Sequence, residues 1–158
     1  MAKEIERRFL VTESVREQAL GRKTDIVQGY LSAEPAVRVR LVGGFLGKKG
    51  YLTVKGPGSL SRPEFEYEIP ALDAKEMLAL CRFSLEKERR HVLVSGHMWS
   101  VDFFTETRMN GLMLAEIELK SEDEKFVMPE WAGEEVTENP YYSNVSLAKI
   151  GAPKSGPV

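Results

Sequence analysis

The sequence predicts a mainly β protein of the α+β class, in which antiparallel strands form a barrel with a few helices outside it. Charged and apolar residues alternate with a period of two along most of the chain, as they do in strands. Glycine-rich segments separate these stretches at hairpin spacing, and only three short segments have helical patterns. Because several long strands with few helices must close on themselves to bury one face, a barrel is the expected arrangement.

Seven segments predict strands by their alternation. They are 3–11, 36–42, 51–55, 62–69, 83–94, 98–105 and 112–120, and a shorter strand is expected over 25–31. The segment GGFLGKKG at 43–50 predicts a hairpin tip, and GPGSLS at 56–61 predicts a loop.

Three segments predict helices. The first covers 13–20, with Thr12 as its cap and Gly21 as its stop. The second covers 74–81, where Asp73 followed by Glu76 resembles a capping box. The third covers 146–150 and ends at Gly151.

The composition limits the organisation of the chain and its partners. Its 158 residues suit one domain, placed over 1–150, with a tail over 151–158 that is expected to be flexible. The net charge of −2 lacks the basic excess of a nucleic-acid-binding surface, and no apolar run is long enough for a membrane helix. Cys81 is the only cysteine, which excludes an internal disulfide and indicates a reducing, cytoplasmic setting.

The charges form stripes that are sorted by sign, since alternate side chains of a strand point to one face. The acidic stripes are Glu4 and Glu6, then Glu64, Glu66 and Glu68, then Glu116 and Glu118; the basic ones include Arg38, Arg40 and Lys55. One interpretation places these faces in solvent. The other turns them inward, with the apolar faces covered by helices.

Inward stripes of like charge require a ligand. Two like charges about 4 Å apart repel by about 4 kcal/mol at an effective dielectric constant of about 20. Glutamates on adjacent strands offer the hard oxygen ligands of Mg²⁺ or Mn²⁺, and arginines and lysines suit a polyanion. The inward interpretation therefore predicts a cavity for a metal–polyphosphate complex.

A series of motifs resembles the CYTH domain, the triphosphate tunnel metalloenzyme family. In order, they are EIERR at 4–8, QGYL at 28–31, RVR at 38–40, LTVKG at 52–56, RPEFEYEIP at 62–70, EKER at 86–89, VDFF at 101–104, GLMLAEIEL at 111–119, EEVT at 134–137 and YY at 141–142. The resemblance implies a closed eight-stranded antiparallel barrel that forms a tunnel. The length and spacing resemble the short bacterial branch of inorganic triphosphatases.

The resemblance also implies roles for individual residues. The metal ligands would be Glu4, Glu6, Glu116 and Glu118. The phosphate would be bound by Arg38, Arg40, Lys55, Lys87 and Arg89. Catalysis would involve Arg8, Tyr30, Glu64 and Glu66, the two glutamates holding a second metal or orienting water. The alternative for each charged residue is cross-strand ion pairing, and for Tyr30 it is packing.

Two positions depart from the family pattern. The family has a lysine where this chain has Arg8, which keeps the charge but replaces a compact ammonium with a wide fork. Pro140 stands where the family often has an arginine, which removes a charge and stiffens the segment. These departures are expected to affect the catalytic rate more than the binding of the substrate.

The predicted function is therefore metal-dependent hydrolysis of a small-molecule triphosphate, with Mg²⁺ or Mn²⁺ as cofactor and inorganic tripolyphosphate as the first substrate to test. The alternatives are an adenylyl cyclase or a thiamine triphosphatase of the same fold, and a non-catalytic polyphosphate-binding module. Whether the chain forms a homodimer is left open.

Overall fold

A computed structural model describes residues 3–45 and 47–153 of the chain. These residues form nine strands: β1 Lys3–Val11, β2 Thr24–Ala33, β3 Ala36–Gly44, β4 Gly47–Lys55, β5 Ser61–Ile69, β6 Phe83–Val94, β7 His97–Phe104, β8 Met113–Glu118 and β9 Ala132–Glu135. Two α-helices, α1 Ala71–Leu80 and α2 Asn144–Ile150, and three 3₁₀ turns, Glu13–Glu17, Thr107–Met109 and Pro140–Tyr142, complete the fold.

The first eight strands close into an antiparallel barrel, as predicted. They follow the order β5-β4-β3-β2-β6-β7-β8-β1, and β1 pairs with β5 to close the ring. The closing pair is short, because β1 reaches β5 only through Lys3–Ile5. Farther along the same edge, Phe9 and Val11 of β1 pair with β9 instead. The alternation pattern did not predict β9, whose sequence AGEE is short and lacks apolar alternation.

The helices differ from their predicted limits. The first is only the 3₁₀ turn Glu13–Glu17, because the Thr12 side chain contacts Ser14 and the Trp131 carbonyl and does not cap a helix. Helix α1 begins at Ala71, directly after Pro70, so Asp73 lies in its first turn and is not the cap. Helix α2 begins two residues earlier than predicted, since the Ser143 side chain accepts a hydrogen bond from the Ser146 amide.

The hairpin predicted over 43–50 is present but tighter, because β3 extends to Gly44 and β4 begins at Gly47. Leu46, at its tip, lies outside the described residues, as do residues 154–158 of the predicted tail. Gly151 is buried and the Ala152 amide donates to the Arg108 carbonyl, so the packed structure extends into the first residues of that tail. No helix of the described residues is long and apolar enough to cross a membrane.

The main apolar core lies outside the barrel, on the faces of β1, β7 and β8 that carry Phe9, Trp99 and Ile117. Irregular chain between β8 and β9 covers these faces, where the sequence predicted helices. Trp131 from that segment packs against Trp99 with ring centroids 5.5 Å apart. Helix α1 covers another side so closely that a Cβ on Gly50 of β4 would lie 2.7 Å from the Ala74 Cβ.

A second apolar cluster closes one end of the barrel interior. Leu85, Phe104 and Leu114 have the same strand parity as the charged inward residues, and they pack against Leu147 and Ala148 of α2. Helix α2 therefore seals this end. The charged residues line the remainder of the interior.

Candidate active site

The charged faces of the strands turn inward and line a cavity of about 360 Å³. Its walls carry Glu4, Glu6, Arg38, Arg40, Lys55, Glu64, Glu66, Arg89, Glu116 and Glu118, with His91, Met98 and Ser100 also on the lining. Twelve of the thirteen predicted site residues line this cavity or an adjoining one, which adds Arg8, Tyr30, Arg62 and Asn144. Of the predicted residues, only Glu118 and Glu66 are well exposed to solvent.

Three carboxylates form the candidate metal centre. One oxygen from each of Glu4, Glu6 and Glu118 lies within 4.8 Å of the other two. Burial and then the neighbouring Glu116 raise the pKa of Glu6 to about 8, and burial also raises the pKa values of Glu4 and Glu118. Lys55 and Arg8 offset only part of the repulsion among these crowded carboxylates, so the set fits a divalent ion such as Mg²⁺ or Mn²⁺, which prefers hard oxygen ligands.

Glu116 lies beside this group but faces arginines. Its carboxylate is 3.5 Å from Arg8 Nε and 4.0 Å from Arg89 Nη2. Burial alone would raise the pKa of Glu116, but Arg8 and Arg89 hold it well below its usual range. Glu116 is thus an ionised carboxylate between two cations, and the structure does not place it among the three clustered oxygens.

Four cations line the cavity, and they differ in how they are paired. Lys55 Nζ lies 3.0 Å from Glu4 and 3.3 Å from Glu64. Arg38 donates to Thr53 Oγ1 at 3.2 Å and lies 3.4 Å from Glu66. These two cations are thus partly compensated by carboxylates.

Arg40 has no such compensation. Its Nε donates to Gln28 Oε1 at 2.8 Å, and no carboxylate of the described residues lies within 4.0 Å of its guanidinium. Burial, followed by the charges of Arg38 and Arg89, lowers the pKa of Arg40 to about 9. A half-buried cation without a carboxylate partner indicates a site for an anion.

The fourth cation, Arg89, belongs to a triad with Asp102 and Lys87. Arg89 donates two bonds to the Asp102 carboxylate, at 2.6 and 2.8 Å, and Lys87 Nζ lies 2.8 Å from it. Burial acts to raise the pKa of Asp102, but Arg89 and Lys87 lower it to about 2. The Lys87 side chain is fully buried and lines neither cavity, whereas Arg89 faces the main one.

Arg8 uses its wide fork to join three groups. Nη2 donates to Glu6 at 3.0 Å, Nη1 donates to the Tyr142 carbonyl at 3.3 Å, and Nε lies near Glu116. The 3₁₀ turn that begins at Pro140 presents that carbonyl. Arg8, which departs from the family pattern, therefore contacts the 3₁₀ turn that contains the other departure, Pro140.

The remaining predicted catalytic residues lie on the cavity walls. Glu64 contacts Lys55, and Glu66 accepts a bond from Thr53 Oγ1 at 2.9 Å. The Tyr30 hydroxyl is buried and accepts a bond from Gln28 Nε2 at 3.1 Å. Glu64 also contacts Glu4, but the cluster of three close carboxylate oxygens includes neither Glu64 nor Glu66.

The sequence did not predict a role in the site for four residues: Gln28, Thr53, Arg62 and Asn144. Arg62 Nε lies 3.6 Å from Glu4, and its parity with Glu64 along β5 could have revealed it. Gln28 and Thr53 are uncharged, so a search for charge stripes passes over them. Asn144 reaches the site from α2, which no strand pattern can predict.

The model of the CYTH domain matches residues 2–150 of this chain. The chain belongs to the CYTH family. The resemblance seen in the motifs is thereby confirmed, and the inward-facing charges agree with it.

Two CYTH relatives match nearly end to end. An inorganic triphosphatase of Acetivibrio thermocellus is 42% identical over 154 residues, which span 94% of this chain and 95% of that protein. An inorganic triphosphatase of Nitrosomonas europaea is 33% identical over 149 residues, which span 92% and 96%. The crystal structure of the inorganic triphosphatase NE1496 superposes with a TM-score of 0.66 at 31% identity, covering 94% of this chain and 95% of that one.

Proposed function

We propose that this chain is a metal-dependent inorganic triphosphatase, which hydrolyses tripolyphosphate to release phosphate. The observation that carries the proposal is the combination, in one cavity, of three clustered carboxylates and four cations, one of them without a carboxylate partner. Two relatives that match over more than nine-tenths of this chain are inorganic triphosphatases, which supports the same substrate.

The basic walls bind the polyphosphate. Arg38 and Arg40 approach from β3, Lys55 from the neighbouring β4 and Arg89 from β6. Guanidinium forks pair with phosphate oxygens in bidentate fashion, and lysine contributes a point charge. The same groups stabilise charge on the equatorial oxygens as the terminal phosphoryl group is transferred. Lys87 lies behind the cavity wall, where it contacts Asp102 and Asn144 and holds both side chains in place.

The acidic wall holds the metal and the water. Glu4, Glu6 and Glu118 would hold Mg²⁺ or Mn²⁺, with Glu116 close by. When bound, such an ion polarises the phosphoryl oxygens and lowers the pKa of coordinated water. Burial acts to raise the pKa of Glu64, but a hydrogen bond with the Glu4 carboxyl and the charge of Lys55 lower it. As a carboxylate, Glu64 can accept a hydrogen bond from the attacking water. Glu66 can orient that water, and Arg8 and Tyr30 line the adjoining cavity.

The lining favours an inorganic substrate over a nucleotide. Among the described residues, no Phe, Tyr or Trp lines the main cavity, so a base would find no stacking surface there. The long charged side chains of its walls enclose a volume of about 360 Å³. These features argue against the adenylyl cyclase alternative.

The test is a phosphate-release panel with tripolyphosphate, pyrophosphate, ATP and thiamine triphosphate, each with Mg²⁺ and with Mn²⁺. We expect tripolyphosphate to be the best substrate and the Glu4→Gln/Glu6→Gln double variant to lose at least about a hundredfold in rate. An exposed acidic variant, Glu13→Gln, serves as the control. Tight binding of tripolyphosphate without release would instead identify a binding module, and cyclic AMP formation from ATP would identify a cyclase.

The proposal extends to the setting of the enzyme. A single domain over 1–150 and a cytoplasmic location follow from the composition and the lone cysteine, which is a free thiol on α1's C-terminal side. A homodimer stays a prediction, to be checked by light scattering of the purified chain.

A further inference from the structure

Gln28 and Asn144 form a hydrogen-bond relay between helix α2 and the phosphate-binding wall. Asn144 Oδ1 accepts from Lys87 Nζ at 2.9 Å and from Gln28 Nε2 at 3.0 Å. Gln28 Oε1 in turn accepts from Arg40 Nε at 2.8 Å. The relay thus begins at a fully buried lysine, crosses from α2 to β2 and ends on Arg40.

The register of the sheet explains why the relay can form. Gln28 of β2 lies directly opposite Arg40 of β3, and both side chains point to the interior. Gln28 is completely buried, and its second donor contact goes to the Tyr30 hydroxyl at 3.1 Å. Because the amide is engaged on both its oxygen and its nitrogen, it cannot rotate without losing hydrogen bonds.

We propose that Gln28 and Asn144 are positioning residues, which fix the Arg40 guanidinium for triphosphate binding. A bond to Nε sets the plane of the guanidinium and leaves the two terminal nitrogens for the substrate. Without the relay, Arg40 could turn toward water, and substrate binding would then have to include the free-energy cost of reordering its side chain. The inference rests on the proposed function for its choice of ligand, and it assigns α2 a part in substrate affinity as well as in closing the barrel.

The test compares single and double variants of the relay. Gln28→Met and Asn144→Leu keep most of the side-chain volume and remove the hydrogen bonds. We expect each to weaken tripolyphosphate binding about tenfold, measured by calorimetry with EDTA present. Because both break one relay, the double variant should also lose only about tenfold, whereas independent sites would lose about a hundredfold.

The control is Ala148→Gly, which loosens α2 by lowering its helix propensity but leaves every relay atom in place. We expect it to lower Tm as much as Asn144→Leu while changing the affinity by less than about twofold. In turnover, the relay variants should raise KM about tenfold and leave kcat within about threefold. Should Asn144→Leu fail to fold, Asn144→Ala is compared in the same way.

Three results would overturn the relay: unchanged affinity in the folded variants, multiplicative losses in the double variant, or an equal loss in Ala148→Gly. A fall in kcat at unchanged affinity would overturn it as well. A wild-type chain that binds tripolyphosphate without releasing phosphate would refute the proposed function alone, since the affinity comparison still decides the relay.

Discussion

Arg40 offers a prediction in which stability and function move in opposite directions. Burial and its cationic neighbours lower the pKa of Arg40 to about 9, far below the ordinary value for arginine. This shift corresponds to an unfavourable free energy of about 5 kcal/mol for the charged form in a dry site. Water in the open cavity screens most of that energy, and the hydrogen bond to Gln28 returns about 1–2 kcal/mol.

Replacing this arginine, Arg40→Met, should therefore raise the free energy of unfolding by about 1 kcal/mol in the absence of phosphate. The same variant should bind tripolyphosphate at least about tenfold more weakly, because the one cation without a carboxylate partner is gone. Urea unfolding followed by tryptophan fluorescence measures the first quantity, since Trp99 and Trp131 are both buried. Added tripolyphosphate should raise Tm of the wild type and have much less effect on the variant.

The matched comparison is Arg89→Met. Arg89 also faces the cavity, but it forms two hydrogen bonds with the buried Asp102. Its removal should weaken binding too, yet lower the free energy of unfolding by about 3–5 kcal/mol. The reasoning is refuted if the two variants destabilise the protein equally, because Arg40 would then have a structural counter-ion.

Three further predictions concern the buried charges, the metal and the fold. Asp102→Asn should lower the free energy of unfolding by about 2–3 kcal/mol at pH 7. The difference from wild type should shrink as pH falls from about 4 toward 2, because the lowered pKa of Asp102 contributes stability only while the carboxylate is ionised. Unfolding curves measured at acid pH check this prediction. Chelation with EDTA should abolish phosphate release but leave Tm within a few degrees, because Lys55 and Arg8 already offset part of the acidic charge. A calorimetric scan in which EDTA lowers Tm by more than that would contradict this prediction. Gly50→Ala should cost about 1–3 kcal/mol of stability with unchanged KM, because the new methyl group would press on Ala74 of α1, away from the cavity.

The barrel was predictable because most of its strands can be recognised from the alternation within their own segment of sequence. Alternation of charge and apolarity marked seven of the eight strands of the closed ring, with β2 expected only as a shorter strand, and glycines marked the β3–β4 hairpin. The sequence could not show that the apolar faces of β1 and β7 are covered by irregular chain around Trp131, because that segment has no periodicity to detect. It also gave no sign of β9, whose pairing depends on the edge that the short β5 contact leaves free on β1.

The site was predictable only as far as charge was involved. The stripes and motifs identified the carboxylates and cations that line the cavity, and the motifs led to Lys87. They did not separate Glu116, which faces Arg8 and Arg89, from the three clustered glutamates. They assigned no role to Gln28, although it begins the QGYL motif, or to Asn144, because neutral amides that orient a charge leave no mark in a pattern of charges.

The most direct test of the central claim is the initial rate of phosphate release from tripolyphosphate by the wild-type chain as Mg²⁺ is titrated. If three carboxylates hold the ion opposite the cations that hold the substrate, the rate should rise from zero in EDTA and saturate with Mg²⁺. Mn²⁺ should support the same reaction. Release that persists in EDTA, or no release at any concentration of either ion, would contradict the account.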